Sequence, residues 1–382
     1  MIRQEFLMKE RKDIRVLVLW ADPRAENLGL QALASGARSA VQQIWGGCDV
    51  VFHTHNTRDT PLTRAAMIRD LCGRPGGMTA FFRDFDLILD TGGGDSFTDI
   101  YGLRRLLLMK YVRIAAGKAC RPVVMTPQTI GPFRTWVGKR VATSMLRKSA
   151  LVCTRDPESS RNSRILGRNT DIESTDMAFA LSKHDRGDRY DVVLNVSGLL
   201  WNENPHVDFR SYRTNVLNLI NELTLAGRRV SLLAHVLDSP LADNDVPAVK
   251  SAAAASKSDV EVLIPADLAD VRSILANSAV LVGSRMHSAI NALAVGTVAI
   301  PWSYSRKFAP LMESIGWQTT IDLSTSDDPV GETLRMLEET VFLELQRTVA
   351  SAASEAENKI RAFIEAPQWT SITDAVYGAS VC

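Results

Sequence analysis

The sequence has no long hydrophobic run. Its apolar stretches stop well short of the roughly eighteen residues that a membrane-spanning helix requires. The run at 16–20 (Val-Leu-Val-Leu-Trp) is too short even for the apolar region of a signal peptide. A cytoplasmic protein without a transmembrane segment is expected, with peripheral contact at the inner membrane face left open. Cysteine is sparse: Cys48, Cys72, Cys120, Cys153 and Cys382 are odd in number, scattered, and lack metal-ligand spacing. They read as free thiols in a reducing compartment, several of them buried. Charge imbalance is missing too. Lys and Arg number 44 against 43 Asp and Glu, a net charge of +1, so nothing calls for nucleic acid as a partner. There are no internal repeats, and no low-complexity segment beyond Ala252–Ala255.

What the chain does have is length and alternation. At 382 residues, 46% hydrophobic and 23% charged, it has an ordinary soluble composition and exceeds one typical core, so two or three domains are expected. After a charged lead over 1–13, apolar runs of the kind found in parallel sheets fall at 14–21, 49–53, 86–90, 122–126 and 150–154. Helical periodicity is predicted over 30–44, from the glycine loop to about 116, and up to 148. The polar stretch 182–189 reads as a linker. Beyond it lies a second series, with strands at 192–196, 229–234, 260–264, 280–282 and 298–300 and helices at 208–226, 244–257 and 268–276. The charged pattern from 329 to 365 is read as one long helix. The whole is α/β: two Rossmann-like domains, at 1–185 and 190–328, facing across a cleft, and a helical segment at 329–382 packing back across both. Ligands of such sheets sit beyond the carboxyl ends of the strands.

The chemistry-bearing residues gather at those ends, most densely in 279–317. There Gly283 and Ser284 close a strand, Ser284 can cap the next helix, and Met286, Ile290, Leu293 and Ala294 recur at helical spacing. Arg285 and His287 stand two apart at the helix N-terminus, and the next loop brings Tyr304, Arg306 and Lys307. Cations clustered on a helix N-terminus are unfavourable unless an anion occupies the site. An anionic ligand is therefore expected here, with His287 moving a proton. Gly92, Gly93 and Gly94 lie between a strand and a helix, where they either bind an anion through backbone N–H groups or simply make a tight turn. They form neither a P-loop nor a dinucleotide fingerprint. Asp95 and Asp99 are a base, ligands for sugar hydroxyls, or acids that favour a helix dipole. Arg155, beside Asp156, either clamps an anion bidentately or makes a surface pair worth under about 1 kcal/mol. Gln128, Asn195, Ser197 and His235 end strands where sugar or phosphate contacts belong, and each is as readily a loop or core polar group. His53 and His55 alternate at a strand end without partners to complete a metal set, so no metal is expected.

Taken in order, one set of residues carries a likeness. It comprises Asn27-Leu28-Gly29, Gly92-Gly93-Gly94 with Asp99, 127–132 (Pro-Gln-Thr-Ile-Gly-Pro), and Arg155-Asp156 with Ser159. It continues with Asp176 in 174–179 (Ser-Thr-Asp-Met-Ala-Phe), 195–199 (Asn-Val-Ser-Gly-Leu), His235, and 283–287 (Gly-Ser-Arg-Met-His) with Ala292, Gly296, Tyr304 and Lys307. Over residues 14–317 the chain resembles the polysaccharide pyruvyl transferase family. The resemblance implies a GT-B-like fold and phosphoenolpyruvate as donor substrate, with no further cofactor. It implies a saccharide acceptor, free or lipid-linked, that receives a ketal across two hydroxyls as phosphate leaves, in cell-surface polysaccharide or glycolipid biosynthesis. The acceptor would lie on the N-terminal side and the donor on the C-terminal side. His287 and Arg285 would be catalytic, with Asp95 or Asp99 as base. Asn27, Gly92, Gly93, Gly94, Gln128, Arg155, Asn195, Ser197, His235, Ser284, Tyr304 and Lys307 would bind substrate. Many members carry Gly-Asp where this chain has Gly29-Leu30, so no carboxylate role transfers there. A homo-oligomer is left open. The same fold suits a nucleotide-sugar glycosyltransferase or a non-catalytic saccharide-binding protein. The former wants an acid for the ribose, and the chain after His287 has none until Glu313. An NAD-dependent enzyme is disfavoured by the missing fingerprint.

Overall fold

The computed structural model describes residues 14–54, 61–238 and 243–378; the lead at 1–13, His55 and Cys382 lie outside them. Two parallel sheets of six strands organise the described residues. The first holds β1 (Ile14–Leu19), β2 (Cys48–His53), β3 (Leu87–Asp90), β4 (Val123–Gln128), β5 (Leu151–Thr154) and β6 (Ile172–Glu173), in the order β2-β1-β3-β4-β5-β6. The second holds β7 (Tyr190–Asn195), β8 (Val230–Leu233), β9 (Glu261–Leu263), β10 (Ser278–Gly283), β11 (Val298–Ser303) and β12 (Ile321–Asp322), in the order β12-β11-β10-β7-β8-β9. Helical crossovers cover both faces of each sheet, which is why the strands are apolar on both sides. In β1, Val16 and Val18 face the helix Leu28–Trp45 in a core continuous with the second sheet. Leu17 and Leu19 face the opposite way, toward Leu106, Met109 and Met145.

Strand order decides where ligands can enter. The first chain half leaves β1 for β2 on one side and returns to β3 on the other. The second leaves β7 for β8 and β9 and returns to β10 on the other side. Each reversal parts two crossovers and opens a crevice beyond the strand ends, so crevices lie above β1/β3 and above β7/β10. The halves meet beside them. Asn27 and Val236 form an antiparallel bridge, Leu28 N–H donates to the His235 carbonyl at 3.2 Å, and Leu237 N–H donates to the Glu26 carbonyl at 2.7 Å.

Three expectations are corrected. The helix after the glycine loop begins only at Leu103, because Gly92, Gly93, Gly94 and Gly102 all take positive φ, outside the right-handed helical region. The C-terminal pattern is three helices, Pro329–Met336, Glu339–Ile364 and Gln368–Gly378. The first packs on the helix Phe209–Leu225, whereas the second lies against Leu28–Trp45 and Met286–Ala294. One straight rod cannot follow both surfaces. Of the four described cysteines only Cys153 is buried; Cys72 and Cys120 are exposed. The helices Arg64–Leu71, Met78–Phe82 and Pro157–Ile165 had no clear apolar periodicity to announce them. Among the described residues no helix is long and apolar enough to cross a membrane.

Candidate functional site

A cleft of about 860 Å³ occupies the space between the two crevices. Trp20, Asp22, Arg24, Gly93, Gly94 and Asp95 come to it from the first sheet, and His235, Arg285, Met286, His287, Tyr304 and Lys307 from the second. Trp20, the residue after β1, has φ 67, an uncommon conformation for a bulky residue and one that clusters at functional sites.

His287 lies in the first turn of the helix Met286–Ala294, which starts without a side-chain cap. Ser284, expected to supply that cap, instead shares a hydrogen bond with Tyr212 Oη at 2.9 Å. Two close approaches fix the imidazole. A Cβ added at Gly29 would come within 2.6 Å of His287 Nδ1, so only glycine lets the first turn of the opposite helix lie against the ring. On the other side, His287 Nε2 is 3.5 Å from Asp176 Oδ2. That carboxylate is 1% exposed and is also held by Arg155 Nη1 at 3.1 Å. Burial raises the proton affinity of Asp176, but His287, Arg155 and the Ala178 N–H more than offset it, leaving the carboxyl well below its usual range. Asp176 is thus a fixed negative charge behind the imidazole, suited to hold its proton.

Of the clustered cations Arg285 and Lys307 are already neutralised, whereas Arg306 is exposed and stands off the cleft wall. Arg285 donates from Nη2 to Asp245 Oδ1 at 2.6 Å and from Nε at 3.1 Å, with a further bond to the Asp243 carbonyl. Burial opposes its charge, yet Asp245 more than compensates and raises its pKa. Asp245 is fully buried and also accepts from Gly198, His235 and Val236 N–H groups. Lys307 is in contact with Asp95 and donates to Tyr101 Oη at 2.7 Å. Arg155, 1% exposed, is taken by Asp176 and lies behind the cleft wall. Arg155, Arg285 and Lys307, each expected to meet an anion, are therefore each held in an ion pair. Arg24 and Arg105 on the cleft wall make no ion pair among the described residues, which leaves them able to meet an anion.

His235 lines the cleft while only 1% exposed. Burial, with His287 and Arg285 nearby, holds its pKa well below the ordinary histidine value, so it is neutral at pH 7. Arg272 donates to Asn291 Oδ1 at 3.1 Å. That orients the Asn291 amide so that its N–H points at His235 Nε2, 3.4 Å away, placing the imidazole proton on Nδ1.

Several sequence candidates sit off the wall. Asp99 accepts from the Arg134 and Thr135 N–H groups and from Thr135 Oγ1. These bonds outweigh its burial and keep its carboxyl below the usual range; it fastens a loop and faces no cleft. The glycine loop satisfies itself: the Gly92, Gly93 and Gly94 N–H groups donate to Asp90 Oδ1, Thr91 Oγ1 and the Thr91 carbonyl. Gly93 and Gly94 still border the cleft, but their amides are not offered to an anion. Gln128 supports that loop by donating to the Asp90 carbonyl at 2.7 Å. Asn195 accepts from Arg285 N–H at 2.9 Å and Ser288 Oγ at 3.2 Å, holding the helix start. Ser197, fully buried, donates its N–H to Tyr212 Oη. Asn27 borders the cleft while capping the helix Leu28–Trp45 through Gly29 N–H. Tyr304 borders it beside the ring of His206, 5.2 Å away. Among the described residues no group of three or more His, Cys, Asp or Glu could hold a metal ion.

The sequence profile of the polysaccharide pyruvyl transferase family matches residues 27–306. The chain belongs to this family. No curated protein matches it as a relative. Among solved structures it is similar to Anabaena HepE in complex with UDP and glucose, at 14% identity and TM-score 0.54, over 94% of this chain and 100% of that one. It is also similar to a putative UDP-N-acetylglucosamine 2-epimerase from Listeria monocytogenes, at 12% identity and TM-score 0.59, over 97% and 98%. A third is MurG of Acinetobacter baumannii, at 11% identity and TM-score 0.50, over 93% and 99%. At such identities the likeness is one of fold, and the fold is GT-B-like.

Within this pyruvyl transferase family chain, the residues that sequence reasoning passed over are the carboxylates behind the cations. Asp176 stood inside a matched motif but drew no role, since nothing local says that it meets a histidine 111 positions on. Asp245 opens a helix, where an acid is ordinarily a dipole partner. Arg24, Tyr101, Arg105 and His206 reach the cleft from loops and helix starts that no periodicity marks.

Proposed function

We propose that this protein transfers a pyruvyl group from phosphoenolpyruvate to two hydroxyls of a saccharide, forming a ketal and releasing phosphate. The observation that carries the reading, beside family membership, is His287 on the cleft wall. It sits at an uncapped helix N-terminus, with the ionised Asp176 3.5 Å behind its Nε2. The reaction needs one proton delivered to carbon and two removed from oxygen. In the proposed order of steps, protonated His287 gives its proton to the donor methylene, which becomes the ketal methyl, and C2 becomes electrophilic. The first sugar hydroxyl forms a C–O bond to C2 and returns its proton to the imidazole. The second hydroxyl then forms the other C–O bond as the C2–O bond to phosphate breaks, and its proton leaves with the phosphate. Asp176 stands behind the ring, and a positioned general acid or base such as His287 is worth on the order of 10²–10⁴-fold. Arg24, Arg105 and the Met286 and His287 N–H groups at the start of the helix Met286–Ala294 are the donors available for the carboxylate and phosphate. Asp95, held ionised by Lys307 against its burial, is the cleft carboxylate we assign to the acceptor hydroxyls. No electron changes hands, so the chemistry asks for no redox cofactor.

The test is phosphate release from phosphoenolpyruvate across a panel of hexosides, with mass spectrometry for an added pyruvate less water. His287→Ala should lower turnover at least about a hundredfold with the fold intact. Near-normal turnover in that variant sinks the role of His287. Silence across the panel, together with cleft binding of a UDP-sugar, would move the reading to a nucleotide-sugar glycosyltransferase of the same fold.

A further inference from the structure

Between residues 100 and 155 the sequence holds twelve Lys and Arg and not one Asp or Glu. With the whole chain at +1, the remainder is net acidic, so this segment is a concentrated positive block. Arg113 and Arg155 are spent inside, on Asp90 and Asp176. Arg104, Lys118, Arg134, Lys139 and Arg140 are exposed, on or beside the adjacent helices Leu103–Lys118 and Trp136–Arg147, which pack together on one face of the first sheet. Large apolar side chains stand out among these charges where a water-facing surface has no use for them. Leu107 is 47% exposed and Trp136 67%, with Ile100, Ile114 and Val137 also exposed. Leu107 and Ile114 are seven apart and share one stripe of their helix. Asp99 ties the loop carrying Ile100 and Tyr101 to the start of the second helix through Arg134 and Thr135, so the apolar groups of loop and helix adjoin. Arg140 lies 4.7 Å over the Trp136 ring.

We propose that this face docks on an anionic lipid surface. Exposed Trp and aliphatic side chains interspersed with Lys and Arg, in a segment that itself carries no acid, match the interfacial zone of a bilayer: the apolar groups enter the acyl boundary and the cations meet lipid phosphates. A nucleic-acid backbone would account for the cations but leave the aliphatic stripe without a partner. The face is also continuous with the cleft, since Tyr101 and Arg105, on the same loop and helix, line it. An acceptor carried on a lipid at that surface would meet the cleft mouth without leaving the membrane. The inference is separate from the pyruvyl-transfer reading, because binding is measured without any substrate.

The experiment is co-sedimentation of the full chain with phosphatidylcholine vesicles and with vesicles containing one third phosphatidylglycerol, at low and high salt. The protein should pellet with the anionic vesicles alone, and less so at high salt. Lys139→Gln with Arg140→Gln should weaken partitioning about fivefold per charge removed. Leu107→Gln with Trp136→Gln should weaken it on the order of tenfold. None of the four residues borders the cleft, and all are exposed, so unchanged thermal unfolding confirms intact folds. Failure to bind anionic vesicles, or binding by both variants equal to the parent, overturns the proposal. So does tighter capture by a nucleic-acid duplex that the Leu107 and Trp136 substitutions leave unchanged.

Discussion

Asp245→Asn removes one charge and keeps the shape, yet it should be among the most damaging single changes in the molecule. The carboxylate is fully buried. Its Oδ1 accepts from Gly198 N–H at 2.7 Å and Arg285 Nη2 at 2.6 Å, and its Oδ2 from the His235 and Val236 N–H groups, each at 3.0 Å. An asparagine offers one oxygen. Whichever way its amide turns, an NH₂ group must face two donors, and the buried Arg285 guanidinium loses its countercharge. Breaking a buried pair from one side costs about 3–5 kcal/mol, and each donor left facing a donor forfeits roughly 1–3 kcal/mol. The expected loss is therefore at least about 3 kcal/mol, a fall in Tm on the order of 5–15 °C. It should be read by urea unfolding and by calorimetry. The double variant Asp245→Asn/Arg285→Met should recover part of the loss, because no uncompensated charge remains. Asp245→Asn within about 1 kcal/mol of the parent, or strict additivity in the cycle of the two sites, would refute the view that Arg285 is held by this carboxylate.

Gly29→Ala should act on chemistry. The new Cβ would come 2.6 Å from His287 Nδ1, so the ring must move; overpacking costs about 1–3 kcal/mol, whereas misplacement of a reacting group by about 1 Å costs about a hundredfold in phosphate release. Turnover equal to the parent would show that the contact does not hold the ring. For pH, His235 titrates below its unfolded value. The unfolded chain therefore takes up the proton first as pH falls, and the stability contributed by neutral His235 is complete above about pH 6.5 and declines below it, by up to about 1.4 kcal/mol per pH unit. His235→Gln should remove that share of the slope in urea midpoints measured from about pH 7.5 to about pH 5.5. An unchanged slope would mean that His235 is not held neutral.

Ten of the twelve strands were legible because parallel strands buried on both faces are apolar runs; the two-residue edge strands β6 and β12 are too short to leave such a run and were missed. Helix starts were less legible. The loop at 91–102 looks helical by composition, but positive φ at four glycines is a property of geometry that composition only permits. At the site, the sequence exposes which residues are cations and histidines. It does not expose which carboxylates face them, since Asp176 with His287 and Asp245 with Arg285 are contacts across many tens of residues. Inferring an anion from a cluster of cations consequently overcounted the free charge, and the residues left to receive an anion, Arg24 and Arg105, carried no motif.

The charge pairs have a consequence for how such a chain can diverge. Asp176 and Asp95 belong to the first sheet's half, while His287 and Lys307 belong to the second; Gly29 is shaped to a ring from the other half. Neither half holds a finished set of charges. A chimera that joins one family member's first half to another's second would keep both sheets and still mismatch the cleft, unless these contacts matched at every point. The two halves are therefore bound to be inherited together, and substitutions at Gly29, Asp95 and Asp176 are constrained by residues more than a hundred positions downstream.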